Sequence, residues 1–144
     1  MKIGYIAGVF DLLHIGHLNA LEKARANCDY LIVDVVSDKV CYSYKNKYPI
    51  IPEEERIRIL KALKCVDEVH LQDTVERMDN KLKNWEMFHF NIHFIGDEWK
   101  GTEKWNRYEK EFAEKGIEIM YIPYTKGISS TIIREKINKN NYNY

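Results

Sequence analysis

Two histidines set three residues apart, His14 and His17, are the side chains of this sequence best suited to chemistry on an anion. They stand in the run Gly8-Val9-Phe10-Asp11-Leu12-Leu13-His14-Ile15-Gly16-His17, between an apolar stretch and a helix-like one. Gly8 closes the apolar stretch, where a backbone without Cβ lets a ligand approach. Residues three apart on a helix share a face, so both imidazoles are expected to point at one spot above the helix N-terminus. That terminus offers unpaired N–H groups and a partial positive charge, which attract anions. Two imidazole donors added to it suit a triphosphate whose α-phosphorus gains negative charge under attack. If the attacking group is itself a phosphate, no protein base or nucleophile is required. Zinc is the poorer reading of the pair, because no Glu lies between the histidines and no third ligand is apparent.

A second anion motif lies near the end of the chain, at Thr125-Lys126-Gly127-Ile128-Ser129-Ser130-Thr131-Ile132-Ile133-Arg134. Gly127 permits a tight turn, and Ser129, Ser130 and Thr131 stand where the cap of the last helix is expected. Their hydroxyls and the helix amides make an anion site facing the first. Arg134, about one turn on, is in reach of the same phosphates. A Ser/Thr cap alone is common; its pairing with the histidine motif makes it specific. Between the motifs, Asp38 follows the second strand, Lys45 and Lys47 lie in the loop beyond, and Arg56 sits on the next helix. Such a Lys, Lys, Arg set at a strand's carboxyl end suits a phosphomonoester dianion. Taken singly, each lysine reads as part of a solvated basic loop.

The pattern G-x-F-D-x-x-H-x-G-H resembles the signature of the nucleotidyltransferase superfamily that carries the HIGH motif. The chain is most similar to its glycerol-3-phosphate cytidylyltransferase branch, over nearly the whole length from Lys2 to about Ile137. The resemblance implies that His14 and His17 bind CTP phosphates and stabilise the transition state. It implies a nucleotide site shaped by Gly8, Val9, Phe10, Asp11, Gly16 and Asp97, together with Thr125, Gly127, Ile128, Ser129, Ser130, Thr131 and Arg134. It places Asp38, Lys45, Lys47, Arg56 and Lys64 on the acceptor side. Gly96-Asp97-Glu98-Trp99 resembles the family's G-D-D-W, which implies that Asp97 faces the nucleotide and that the loop helps recognise cytosine. Trp99 is open to two readings, a wall of the site or core filler. Lys64-Cys65-Val66-Asp67-Glu68-Val69 is similar to the family's R-x-V-D-E-V, and Asp67 is expected to organise the site or a subunit contact.

One departure stands out. The family's R-T-E-G-I-S-T-T is here Tyr124-Thr125-Lys126-Gly127-Ile128-Ser129-Ser130-Thr131, so the usual Arg is Tyr124 and the usual Glu is Lys126. Lys126 or Arg134 is expected to supply the missing cation. Ser130-Thr131-x-x-Arg134 also resembles the S-S-T-x-x-R of adenylyltransferases in the same superfamily. The expected activity is transfer of CMP from CTP to a small alcohol phosphate, glycerol 3-phosphate first, with pyrophosphate leaving. The rivals are an FAD synthetase-like adenylyltransferase using ATP, and a nucleotide-binding domain without catalysis. Mg²⁺ is expected to bridge the triphosphate oxygens, with no metal site built from the protein itself. The family implies a homodimer.

These motifs need a frame, and the 144 residues suit one compact domain, read here as residues 1–137 with a frayed polar tail over 138–144. Lys plus Arg equals Asp plus Glu at 22 each, so no basic excess points to nucleic acid. Three widely spaced cysteines without C-x-x-C argue against a zinc site or a disulfide framework. The short N-terminal apolar run is read as neither signal peptide nor membrane span, and the expected location is the cytoplasm.

Apolar runs at Ile3–Ala7, Tyr30–Val36, Glu68–Leu71, Ile92–Ile95 and Ile117–Ile122 read as strands. Helices are expected at Ile15–Ala26, from Pro52, at Val75–Phe88, at Trp105–Lys115 and at Ser130–Ile137, with a polar loop over Ser37–Tyr48. Alternation of this kind predicts an α/β, Rossmann-like fold: a five-stranded parallel sheet with helices on both faces. Ligands of such sheets bind beyond the carboxyl ends of the strands, where both motifs fall.

Overall fold

Five apolar runs form one all-parallel sheet in the computed structural model, which describes residues 1–140. The strands are β1 (Ile3–Gly8), β2 (Tyr30–Val36), β3 (Glu68–Gln72), β4 (Ile92–Gly96) and β5 (Glu118–Ile122), in the order β3-β2-β1-β4-β5. The helices are α1 (Ile15–Ala26), α2 (Asp38–Lys45), α3 (Glu53–Lys61), α4 (Val75–Asp79), α5 (Lys81–Phe88), α6 (Glu103–Glu114) and α7 (Ser130–Asn140). The chain winds outward from β1 to β3, then returns to the other side of β1 for β4 and β5. Strand order therefore reverses between β1 and β4, and a crevice opens beyond their carboxyl ends.

Side chains alternate across each strand. Ile6 of β1 and Leu31, Val33 and Val35 of β2 pack on one face with Leu21 and Ala24 of α1 and Leu60 of α3. Tyr5 and Ile32 point to the other face, against Phe90 and the Trp105, Tyr108 and Phe112 stripe of α6. A strand covered on both sides must be apolar on both, which is why Tyr30–Val36 reads as a nearly continuous run. Its exception, Asp34, is fully buried, pairs with Arg77 of α4 and accepts the Tyr5 hydroxyl at 2.6 Å.

Four local expectations change. The polar loop over Ser37–Tyr48 contains α2: the Ser37 hydroxyl caps it by accepting the Val40 amide at 3.2 Å, and Val40 and Cys41 are buried. The single helix over Val75–Phe88 is two, because Asn80 is extended (φ −127°, ψ 98°) and its side chain caps α5. Pro52 stands just before α3 as its cap residue, so the helix begins at Glu53. The last helix, α7, runs past the expected Ile137 to Asn140; the rest of the expected tail, residues 141–144, lies outside the described residues. Among the described residues, no helix is long and apolar enough to cross a membrane.

Candidate active site

The turn after β1 is tightly wound. Phe10 and Leu12 both adopt left-handed backbone, φ 55° and 53°, which is uncommon for bulky residues. Between them Asp11 is turned inward, 3% exposed. Its carboxylate accepts the amides of Ile50 (2.8 Å) and Ile51 (2.9 Å) and holds Arg134 at 2.7 Å. Burial alone would raise the Asp11 carboxyl, but these three donors outweigh it and keep the group below the ordinary carboxylate range. Space at Gly8 is tight: a Cβ there would stand 3.0 Å from the Phe10 ring, which would have to give by a few tenths of an ångström.

His14 does not lie within α1, as a shared helical face would need, but caps it. Its Nδ1 accepts the Gly16 amide at 3.0 Å, and the Nδ1 of His17 accepts the His14 amide at 3.2 Å. The rings stack at 3.9 Å with an angle of 27°. Gly16 makes room, since a Cβ on it would sit 2.8 Å from the His14 ring. Burial, with the neighbouring His14 ring, lowers His17 to about 4, and burial lowers His14 as well. Both imidazoles are therefore neutral at pH 7. With each Nδ1 used as an acceptor, the proton of each ring sits on Nε2. The capping box thus leaves one N–H donor on each ring for a ligand.

The C-terminal motif closes over this turn. Gly127 takes φ 80°, the left-handed conformation that favours glycine. Ser129 is the helix cap, its hydroxyl accepting the Ile132 amide at 3.0 Å. Ser130 instead donates to the Asp11 carbonyl at 2.5 Å, and Asn19 of α1 donates to the Thr125 hydroxyl at 3.1 Å. The N-termini of α1 and α7 are thereby pinned on either side of one cleft.

Two cavities meet there, sharing Phe10, His17 and Ser130. The smaller, 320 Å³, is walled by Ile6, Ala20, Ile95, Ile122, Pro123 and Ile128, and also touches His14, Gly16, Tyr124, Thr125 and Ser129. The larger, 580 Å³, is lined by Val9, Asp11, Thr131 and Arg134 on one side and by Cys41, Lys45, Lys47 and Tyr48 on the other. Lys45 and Lys47 are exposed and have no acidic partner among the described residues. An apolar pocket that His14 touches, joined at His17 to a cation-lined cleft, can seat a nucleoside in one part and phosphates in the other.

Several expected site residues lie elsewhere. Arg56 is 1% exposed and is no free cation: it donates to the carbonyls of Ile51 (2.8 Å), Val9 (2.6 Å) and Val36 (2.9 Å) and to Asp38 (2.5 Å). Asp38 is engaged in that pair and accepts the Glu53 amide, so both brace the segments around the cleft and neither lines its two cavities. Lys64 precedes β3, beside the Asp67 amide that donates to Leu31 O at the amino ends of the strands, so it lies at the opposite end of the sheet from the cleft. Asp67 is there too, paired with Arg25 at 2.9 Å and accepting the Leu31 amide.

After β4, Asp97–Trp99 form a 3₁₀ turn. Glu98, not Asp97, lines the apolar cavity, and a Cβ on Gly96 would collide with the Glu98 carboxylate. Trp99 is 45% exposed, so it does not fill the core. Lys126 is exposed and lines neither cavity, which leaves Arg134 as the cation in place. Cys41, Tyr48 and Pro49 line the cleft without belonging to any of the motifs, and Glu98 belongs to one in which the sequence singled out its neighbour Asp97.

A family model described as cytidylyltransferase-like matches residues 5–136. The chain is 34% identical to glycerol-3-phosphate cytidylyltransferase of Bacillus subtilis (strain 168), over 95% of this chain and 98% of that one. It is 33% identical to FAD synthase of Thermococcus kodakarensis, over 83% of this chain and 78% of that one. Among solved structures, the lipopolysaccharide core biosynthesis protein of Thermoplasma volcanium GSS1 superposes with a TM-score of 0.69 at 26% identity, covering 89% of this chain and 99% of that one. The family match takes in both anion motifs, β1 from Tyr5 onward and the whole of β2 to β5, and the chain belongs to the cytidylyltransferase-like family of nucleotidyltransferases.

Proposed function

We propose that the protein transfers the CMP moiety of CTP to a small alcohol phosphate, with glycerol 3-phosphate as the leading acceptor, giving a CDP-alcohol and pyrophosphate. The observation that carries this reading is the pair of neutral imidazoles, His14 in the apolar cavity and His17 where that cavity opens into the lysine-lined cleft. Whole-length similarity to a glycerol-3-phosphate cytidylyltransferase supports the acceptor. The base occupies the apolar cavity, where the Glu98 carboxylate is an acceptor for the exocyclic amine of cytosine. The triphosphate runs past His14 and His17 toward Thr131 and Arg134.

Lys45 and Lys47 hold the acceptor phosphate on the far wall. One of its oxygens attacks the α-phosphorus in line; the new P–O bond forms as the bond to the β-phosphate breaks, and pyrophosphate leaves with the electron pair. The nucleophile is already an anion, so no residue need remove a proton. Charge developing on the α-phosphoryl oxygens meets the two histidine donors and the helix amides, fixed in advance by the capping box. Mg²⁺ would be carried by the CTP phosphates rather than by protein side chains, and would offset part of their charge. The nearby acid, Asp11, already has its carboxylate filled by two amides and Arg134. We place the enzyme in the cytoplasm as a homodimer, which light scattering in solution tests.

The activity is tested by pyrophosphate release with CTP or ATP against glycerol 3-phosphate, phosphoethanolamine, phosphocholine and FMN. CTP with an alcohol phosphate should turn over fastest. ATP with FMN as the fastest pair would move the protein to the adenylyltransferases, to which the FAD synthase relative and the Ser130-Thr131-x-x-Arg134 pattern point.

A further inference from the structure

Asp11 joins three pieces of chain that meet at the cleft. Its carboxylate takes the amides of Ile50 and Ile51, at the end of the loop carrying Lys47, and also takes Arg134 of α7. Its carbonyl takes the Ser130 hydroxyl. At 3% exposure these protein donors, and not bulk water, satisfy the group. Arg134 lines the cleft and has further N–H donors beyond the one given to Asp11. Lys47 lines the same cleft from the opposite wall.

Resting on the reading that the cleft takes CTP and an alcohol phosphate, we propose that Asp11 is a positioning residue that couples the two subsites. Through Arg134 it sets a cation against the nucleotide phosphates. Through the Ile50 and Ile51 amides it sets the lysine loop against the acceptor. It does not touch substrate itself. A bare carboxylate beside a polyphosphate would repel it, whereas this one is neutralised by a guanidinium and two amides. Asn in its place removes the charge that holds Arg134 and, with its oxygen kept where Arg134 and Ile50 donate, turns an NH₂ donor toward the Ile51 amide, so both arms weaken together.

A double-mutant cycle tests the coupling. KM for CTP and for glycerol 3-phosphate is measured in the wild type, Asp11→Asn, Arg134→Ala and the double variant. Asp11→Asn should raise both KM values about tenfold, as loss of one charge-assisted or amide bond on each arm implies. Saturated kcat should move less than either KM, because what is lost is the placement of binding groups. With Arg134 already Ala, the same change should alter the CTP KM by less than about twofold, while the acceptor KM still rises.

An equal effect on the CTP KM with and without Arg134 would overturn the proposal, since the carboxylate would then act on the nucleotide directly. An acceptor KM unmoved by Asp11→Asn would overturn the loop arm. If Asp11→Asn shows no cooperative melting, Asp11→Ser, which keeps a single oxygen acceptor, carries the same cycle. Failure of the wild type to turn over this substrate pair would count against the functional reading and not against Asp11. The cycle is then read by calorimetry with whichever nucleotide and phosphate the wild type binds.

Discussion

Arg56→Ala removes a guanidinium that is 1% exposed and holds four partners from three segments: Val9 after β1, Val36 and Asp38 around the end of β2, and Ile51 before α3. Three main-chain carbonyls lose their donor, and each such buried loss costs roughly 1–3 kcal/mol. The Asp38 carboxylate loses its cation, but at 30% exposure water recovers part of that interaction. The cavity left by the side chain admits water to some of the carbonyls, which trims the sum further. A net loss of about 3–5 kcal/mol follows, the range for removing one partner from a buried charged network. At this chain length that lowers Tm by about 10–15 °C. Calorimetry and urea melts followed by circular dichroism measure it. The acceptor KM should rise as well, because Ile51 ends the lysine loop, but the Tm loss should be the larger and more general symptom. A variant melting within about 3 °C of the wild type, with only its acceptor KM raised, would refute the bracing role and return Arg56 to the acceptor site.

His17→Ala should keep the fold and cut turnover by at least about a hundredfold, as loss of a transition-state donor does; near-normal turnover in a folded variant would remove it from the mechanism. Lys47→Ala should raise the acceptor KM about tenfold to a hundredfold and spare the CTP KM, and Arg134→Ala should do the reverse; if both altered only CTP, the lysine loop would not be the acceptor site. His93 is fully enclosed, both ring nitrogens lack a partner among the described residues, and burial with the nearby Lys81 lowers it to about 3. The unfolded chain binds this proton below about pH 6.5 and the folded chain does not, so His93 contributes a loss of stability as pH falls from about 6.5 toward 3. His93→Phe should flatten the acid limb of a stability-against-pH curve, and an unchanged slope would mean that the imidazole finds a proton partner in the folded state.

Much of the site was legible in sequence because its parts are local. The histidine turn is a strand end, a glycine and a helix cap within ten residues, and the Ser129–Thr131 segment is a cap beside a left-handed glycine. Each is recognisable in a short window because its hydrogen bonds close within that window. Even there the detail differs: His14 caps the helix from outside it, which decides which ring nitrogen remains to donate. Local reading failed where a residue's partners are distant. Ser37–Tyr48 is too polar for its apolar pattern to announce a helix, and α2 forms because Val40 and Cys41 find cover beside Val36, Val9 and Met78. Lys64 reads as one more cation near a strand, and only the topology reveals that it sits before β3 and not after it.

The alternation of buried strands and helices determined, from sequence alone, a parallel α/β sheet, and the sheet's polarity then put both anion motifs at its carboxyl edge. Those conclusions follow from side-chain period and strand direction, which are properties of the chain taken in order. Tertiary structure alone decided which charges are free. Arg56 and Lys47 look alike in sequence, yet one is enclosed by carbonyls from two strand ends and a loop, and the other stands open on the cleft. Asp97 and Glu98 are adjacent acids, and the 3₁₀ turn after β4 aims the second at the apolar cavity. Whether an ionic group is available to a ligand depends on the donors and acceptors that distant segments bring within about 3 Å of it, and no short window of sequence contains them.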